Sequence, residues 1–190
     1  MDDTGEDGLD GGDDRSGGGL SGEESVGDTE SEVAVGADEV GGIFARESPY
    51  FERYVQLGIA SGRVLSVSFP ETPDEEAQPD HELLDRIERY LEEFEEDDFD
   101  DVIVALTVPT DHRTVLERVR QIPYGDQINV ETLTRMTSGL DHTDEDDLNT
   151  VRTALDQNPA PLLIPDHRVR DGPSAAPPGV EQKLRSLEGL

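Results

Sequence analysis

An aspartate and a histidine stand side by side in the segment Asn158-Pro159-Ala160-Pro161-Leu162-Leu163-Ile164-Pro165-Asp166-His167-Arg168-Val169. A carboxylate next to an imidazole has the makings of a general acid–base pair. A hydrolytic centre also needs a nucleophile, and the sequence places no serine or other nucleophile beside Asp166 and His167. The chain contains no cysteine, which removes a disulfide framework, a thiolate metal site and a thiol nucleophile together. The run Asp141-His142-Thr143-Asp144-Glu145-Asp146-Asp147 lacks the glycine and the terminal glutamate of a calcium loop. It reads as a solvated loop, and no metal or cofactor is expected. His81 and His112 fall near helix starts and carry no motif. Arg118, Arg120, Arg135, Arg152, Arg168 and Arg170 gather in the second half of the chain, where they could form a basic face for phosphates.

The elements that must position these residues follow from periodicity. Residues 1–45 are rich in Gly, Asp, Glu and Ser and cannot bury enough apolar surface to offset their ordering entropy, so they read as a disordered acidic tail. Tyr54, Leu57 and Ile59, then Val64, Leu65, Val67 and Phe69, flank Ala60-Ser61-Gly62-Arg63 as a hairpin around a glycine turn. Asp80 is the expected cap of a helix in which Leu83, Leu84, Ile87, Tyr90, Leu91 and Phe94 share helical spacing. Asp101 to Leu106 reads as a short buried strand. These elements make a small α/β domain over residues 48–110.

Beyond Pro109 the pattern turns helical. Val115, Leu116 and Val119 line a helix that stops at Ile122-Pro123-Tyr124-Gly125. Asn129 is the expected cap of a second helix through Leu133 and Met136, ended by Gly139. Asp144 to Asp147 begin a third, with Leu148, Val151 and Leu155 inward. Two short helices joined by a turn are compatible with a helix-turn-helix within residues 111–190.

Composition sets the solvent. The 190 residues carry 46 Asp plus Glu against 15 Lys plus Arg, a formal charge of -31, and Lys183 is the single lysine. Acidity of this kind, almost without lysine, reads as adaptation to concentrated salt, where screening shortens the reach of carboxylate repulsion. A halophilic archaeal cytoplasm is the expected home. The charge is uneven: residues 1–48 have 15 acidic and 2 basic side chains, residues 49–111 have 18 and 4, and residues 112–190 have 13 and 9. The C-terminal half is thus the least acidic part and the one best suited to meet nucleic acid. Neither a signal peptide nor a membrane-spanning run is expected.

The Asn158–Val169 segment resembles the active-site stretch of the methylated-DNA–protein-cysteine methyltransferase (alkylguanine-DNA alkyltransferase) family, where a similar Asn-Pro leads through an apolar run into Pro-Cys-His-Arg-Val. Ile122-Pro123-Tyr124-Gly125-Asp126 is similar to the turn before that family's first DNA-binding helix, and the resemblance spans about residues 48–190. It implies an α/β, ribonuclease-H-like small N-terminal domain followed by an α-helical winged helix-turn-helix domain. In the family, an alkylated guanine is flipped out of the duplex and a cysteine thiolate, activated by the neighbouring histidine, takes the alkyl group.

The resemblance puts Asp166 at the acceptor-cysteine position, His167 at the base position and Asn158 at the hinge. Asn149 falls where the family's arginine finger stands, and Val130 where its phosphate-turning tyrosine stands. Ala175-Ala176-Pro177-Pro178 replaces the stretch lining the base pocket. Glu188 lies close to, but out of register with, the glutamate that orients the histidine. A carboxylate is a poor nucleophile toward an alkyl carbon, so no enzymatic transfer is expected. His167 is expected to be a structural histidine of the retained motif. The implied protein is a non-catalytic, alkyltransferase-like, monomeric binder of double-stranded DNA bearing alkylated guanine, contacting DNA through Asn149, Arg152, Arg168 and Arg170 and passing the lesion to nucleotide-excision-repair proteins. The alternatives are a degenerate relative serving as a structural or protein-interaction module, and an active methyltransferase.

Overall fold

The computed structural model describes residues 41–190. The acidic tail expected over residues 1–45 therefore lies outside the described residues except at its end, and there the expectation fails. Strand β1 spans Gly42–Ser48 and pairs antiparallel with β2, Arg53–Ala60. Ile43-Phe44-Ala45 is an apolar run long enough to enter the core, and Phe44 and Ala45 are buried. The sheet thus begins at Gly42, inside the segment expected to be tail.

Strand β3, Arg63–Ser68, completes a three-stranded antiparallel sheet in the order β1-β2-β3. Ala60 pairs with Arg63, leaving Ser61-Gly62 as a two-residue turn with both φ angles positive, 51° and 67°. This is the primed hairpin turn that suits the twist of the strands, and Gly62 takes its second position without steric cost. Both rims of the sheet are covered by single bridges. Gln78 pairs with Phe44 on β1, and Val104 pairs with Val64 on β3.

Helix α1, Glu82–Glu92, buries Leu83, Leu84, Ile87, Tyr90 and Leu91. Its N-cap is His81, whose side chain accepts the Leu83 amide, in place of the expected Asp80. Imidazole Nδ1 serves here as the short polar acceptor that caps usually take from Asp, Asn, Ser or Thr. Phe94, expected on the inner face, lies past the helix end with φ 57° and is 64% exposed. The buried strand expected over 101–106 is also absent. That segment is irregular, with Ile103 exposed, and meets β3 through two backbone bonds, from Val64 N to Ile103 O and from Ala105 N to Val64 O. An apolar run of that length does not distinguish a strand from a core-facing loop.

The helical half follows the sequence closely. Helix α2 (Thr110–Val119) buries Val115, Leu116 and Val119. Helix α3 (Val130–Met136) is capped by Asn129 through the Thr132 amide, and α4 (Glu145–Asp156) by Asp144 through the Asp146 amide. Helices α2, α3 and α4 pack on one another. A short 3-10 turn, Asp166–Arg168, and helix α5, Pro178–Glu188, close the chain. Side chains from the sheet, from α1 and from every later helix join one hydrophobic core. Among the described residues no helix is long and apolar enough to cross a membrane.

Candidate functional site

The residues from Asn158 to Val169 are almost wholly buried, and their local geometry depends on Asn158. Its Nδ2 donates to Ile164 O at 2.9 Å and to Asp166 Oδ2 at 2.8 Å, and its Oδ1 accepts the Ala160 amide at 3.1 Å. The loop it spans holds Leu162 at φ 84°. A leucine in that region is strained by about 1–3 kcal/mol, so the asparagine pins a loop that would otherwise relax. Pro159 O also accepts the Val67 amide at 2.9 Å, which ties the segment to β3.

Asp166 is 1% exposed. Its Oδ1 accepts Ser174 Oγ at 2.6 Å, and its Oδ2 accepts the Ala175 amide at 3.1 Å as well as Asn158 Nδ2. Burial pushes its pKa above the ordinary carboxylate value, against the pull of these three donors. Ser174 is the hydroxyl that no sequence pattern flagged, since its contact with Asp166 depends on the return of the chain toward α5. It stands on Asp166 rather than on an imidazole.

His167 faces the other way. Its Nε2 lies 3.0 Å from Glu188 Oε1, with both side chains fully buried. A carboxylate only accepts, so Nε2 carries the hydrogen and a neutral ring leaves Nδ1 as a bare acceptor. Nδ1 is buried and has no hydrogen-bond partner among the described residues. Glu188, expected out of register, is therefore the histidine's partner. Helix α5 brings it onto the imidazole, although the count along the sequence leaves it out of register.

Glu188 gathers further donors. Arg168 reaches it through Nε at 2.8 Å and Nη2 at 2.9 Å, and the Tyr90 hydroxyl through a 2.5 Å bond. Burial would raise the Glu188 pKa, but His167 and Arg168 outweigh it and bring it down to about 2. Burial and the adjacent Glu188 push the Tyr90 phenol well above its usual value. Arg168 also donates to Asp98 Oδ1 at 2.8 Å and to Ile122 O at 2.5 Å. Burial works against its charge, and Glu188 more than restores it. Arg168, expected to contact DNA, is 3% exposed and spends its donors on Glu188, Asp98 and Ile122 O.

The other expected contacts stand apart from this network. Asn149 is exposed and Arg152 half-buried on α4, and Arg170 is exposed just after the 3-10 turn. Arg120, assigned to the basic face, is drawn inward instead, donating to Phe99 O and Val102 O at 2.7 and 3.0 Å. Val130 is buried and its amide donates to Asp171 Oδ1, so its side chain belongs to the core. Charge pairing among the arginines is uneven along the chain, although exposed Arg63 in the first half also lacks a carboxylate among the described residues and Arg168 in the second holds two. Arg46, Arg53, Arg86 and Arg89 in the first half each hold a carboxylate. Arg113, Arg135, Arg152 and Arg170 hold none among the described residues. A cavity of about 500 Å³ opens beside the β2–β3 turn and α1, lined by Arg63, Arg86 and Asp101 among others, and no residue expected at the site reaches it. Among the described residues no cluster of His, Asp and Glu could hold a metal ion.

No protein-family model matches the chain. A methylated-DNA–protein-cysteine methyltransferase of Methanopyrus kandleri is 34% identical over 110 residues, covering 57% of this chain and 78% of that protein. A variant of the Mycobacterium tuberculosis O6-methylguanine methyltransferase superposes with a TM-score of 0.61 at 18% identity, over 79% of this chain and 92% of the other. The M. tuberculosis OGT in complex with DNA gives 0.60 at 19% identity, over 77% and 92%. The O6-methylguanine-DNA methyltransferase of Pyrococcus kodakaraensis gives 0.59 at 19% identity, over 78% and 100%. The fold of this chain is that of these alkyltransferases, a small sheet followed by helices.

Proposed function

The chain belongs to the methylated-DNA–protein-cysteine methyltransferase family, and from that premise we propose that it is a non-catalytic, alkyltransferase-like member that binds duplex DNA. The observation that carries this reading is Asp166, a buried carboxylate satisfied by three donors in a chain without cysteine. On this reading Asp166 holds the acceptor position. Family chemistry needs a soft, strongly nucleophilic thiolate there. A carboxylate whose lone pairs already accept hydrogen bonds is poorer still than a free one.

DNA binding is supported by the arginines of the second half that hold no carboxylate among the described residues. In a molecule of net charge -31, arginines left without carboxylates remain available to phosphates. Arg135 on α3, Arg152 on α4 and Arg170 meet that condition, and α2 to α4 are the helices of a winged helix-turn-helix reading. The role is lesion recognition in DNA repair, with alkylated guanine as the target and nucleotide-excision-repair proteins as the recipients. The setting is a salt-rich cytoplasm. Val130, buried where the resemblance calls for a phosphate-turning tyrosine, favours the second reading, a structural or protein-interaction module that does not bind DNA.

Fluorescence anisotropy separates the two. The protein is titrated into a labelled duplex with and without one O6-methylguanine, in concentrated potassium chloride, and the protein mass is read afterwards. Tighter binding to the lesion duplex with no methyl gained supports the sensor. Equal, negligible binding to both duplexes leaves the interaction module, and a methyl adduct on the protein overturns both.

A further inference from the structure

Between the 3-10 turn and α5 the chain runs Pro173-Ser174-Ala175-Ala176-Pro177. The near end of this segment is fixed. Asp171 accepts the Val130 amide at 2.7 Å, and Gly172 is packed so closely that a Cβ there would stand 2.7 Å from Leu155 Cδ1. The far end enters the core through buried Ala176 and continues into α5. Between these anchors the side chain that holds the segment is Asp166. It accepts Ser174 Oγ and the Ala175 amide, and Ser174 Oγ in turn accepts the Ala176 amide at 3.1 Å. Asn158 Nδ2 fixes the same carboxylate from the opposite side. Among the described residues these partners are all neutral donors, and no arginine or lysine pairs with Asp166. A buried carboxylate without a cation is costly unless its donors act together.

We propose that Asp166 is an internal latch. Its carboxylate fills the cage made by Asn158, Ser174 and Ala175, holds residues 173–177 against the 3-10 turn, and shuts that position to an incoming base. The closure stands on contacts within the chain. Only the equation of position 166 with the family's acceptor rests on the functional reading above. With the latch in place, the duplex is engaged with its target base left in the stack, so the lesion recognition proposed above proceeds without flipping.

Amide hydrogen exchange on the full chain tests the latch without DNA. Ala175 and Ala176 report directly, because each amide depends on the Asp166–Ser174 pair. In Asp166→Ala both exchange at least about tenfold faster, while buried amides of α4 keep their wild-type rates. Sodium formate, a carboxylate small enough for the vacated cage, returns both rates toward wild type in that variant and leaves wild type unchanged. Asp166→Asn is not rescued by formate, since its amide still fills the space. Should Asp166→Ala fail to fold, Ser174→Ala removes one donor from a half-buried residue and speeds the same two amides several-fold. Unchanged rates at Ala175 and Ala176, a rise shared equally by α4, or formate without effect each overturn the latch.

A duplex with 2-aminopurine as the target base then reads closure to a base. Wild type binds without a rise in fluorescence and Asp166→Ala binds with one, whereas an equal rise in both overturns closure. If neither protein binds the duplex, the functional reading fails, and the exchange experiment still decides the latch.

Discussion

Arg168 and Glu188 meet through two parallel bonds, Nε to Oε2 at 2.8 Å and Nη2 to Oε1 at 2.9 Å, with both side chains buried. The pair joins the 3-10 turn to the end of α5, and through the Tyr90 hydroxyl and Asp98 it reaches α1 and the acidic loop beyond it. Removing one partner leaves the other charged and buried. Arg168→Met and Glu188→Gln should each destabilise the protein by about 3–5 kcal/mol, measured by denaturant unfolding at constant high salt. A loss below about 1 kcal/mol would mean that the charges are solvated in solution.

Acid should weaken the same network. The Glu188 pKa is depressed to about 2 from its ordinary 4.5. Its contribution to stability is therefore complete above pH 4.5 and is lost as pH falls toward 2, in total roughly 3 kcal/mol. Unfolding midpoints measured across that window should fall in wild type and fall less in Glu188→Gln.

Asp166→Cys is expected to restore a single methyl transfer. The substitution supplies a thiol beside the His167–Glu188 pair and removes the carboxylate. Incubation with O6-methylguanine duplex followed by mass analysis of the intact protein should show one added methyl. Asp166→Ser should show none. If Asp166→Cys stays unmodified under conditions where it binds the lesion duplex, the rest of the site is incompetent as well.

Phosphate contact should fall to arginines that hold no carboxylate among the described residues. Arg135→Ala, Arg152→Ala and Arg170→Ala should each weaken binding to lesion and plain duplex alike. Each should also reduce the slope of log affinity against log salt by about 0.9. Retention of the full slope in all three variants would remove this face from the interface.

At the end of α1, Phe94→Gly should stabilise the fold by up to about 1 kcal/mol. The residue holds the left-handed position that follows a helix C-cap, where glycine carries no steric penalty. Its ring is 64% exposed and gives up little burial when removed. Thermal unfolding is the check.

The sequence was most readable where a side chain meets its own backbone. Asn129 and Asp144 cap their helices as their types and positions indicate, because a cap is settled within three residues. It was least readable where a residue's role depends on distant chain. Counted along the sequence Glu188 is out of register, yet α5 carries it onto His167. Arg168 has the chemistry of a phosphate ligand, and only the arrival of Glu188, Asp98 and Ile122 O turns it into an interior anchor. Strand β1 was hidden by the glycine and aspartate around it, since Ile43 to Ala45 is too short a run to outweigh that composition in a sequence window. Ser174 belongs with these, because seven intervening residues must fold before it reaches Asp166.

The bridges at the two rims of the sheet bear on how copies of the protein meet one another. A bare three-stranded ribbon invites a neighbouring chain to add a strand, and growth of that kind leads to fibres. Gln78 closes one side of this ribbon and the Ile103–Ala105 stretch the other. Crowded molecules thus encounter each other's helices and carboxylates, and a lasting polymer would first have to pull one of these two plugs from its own sheet.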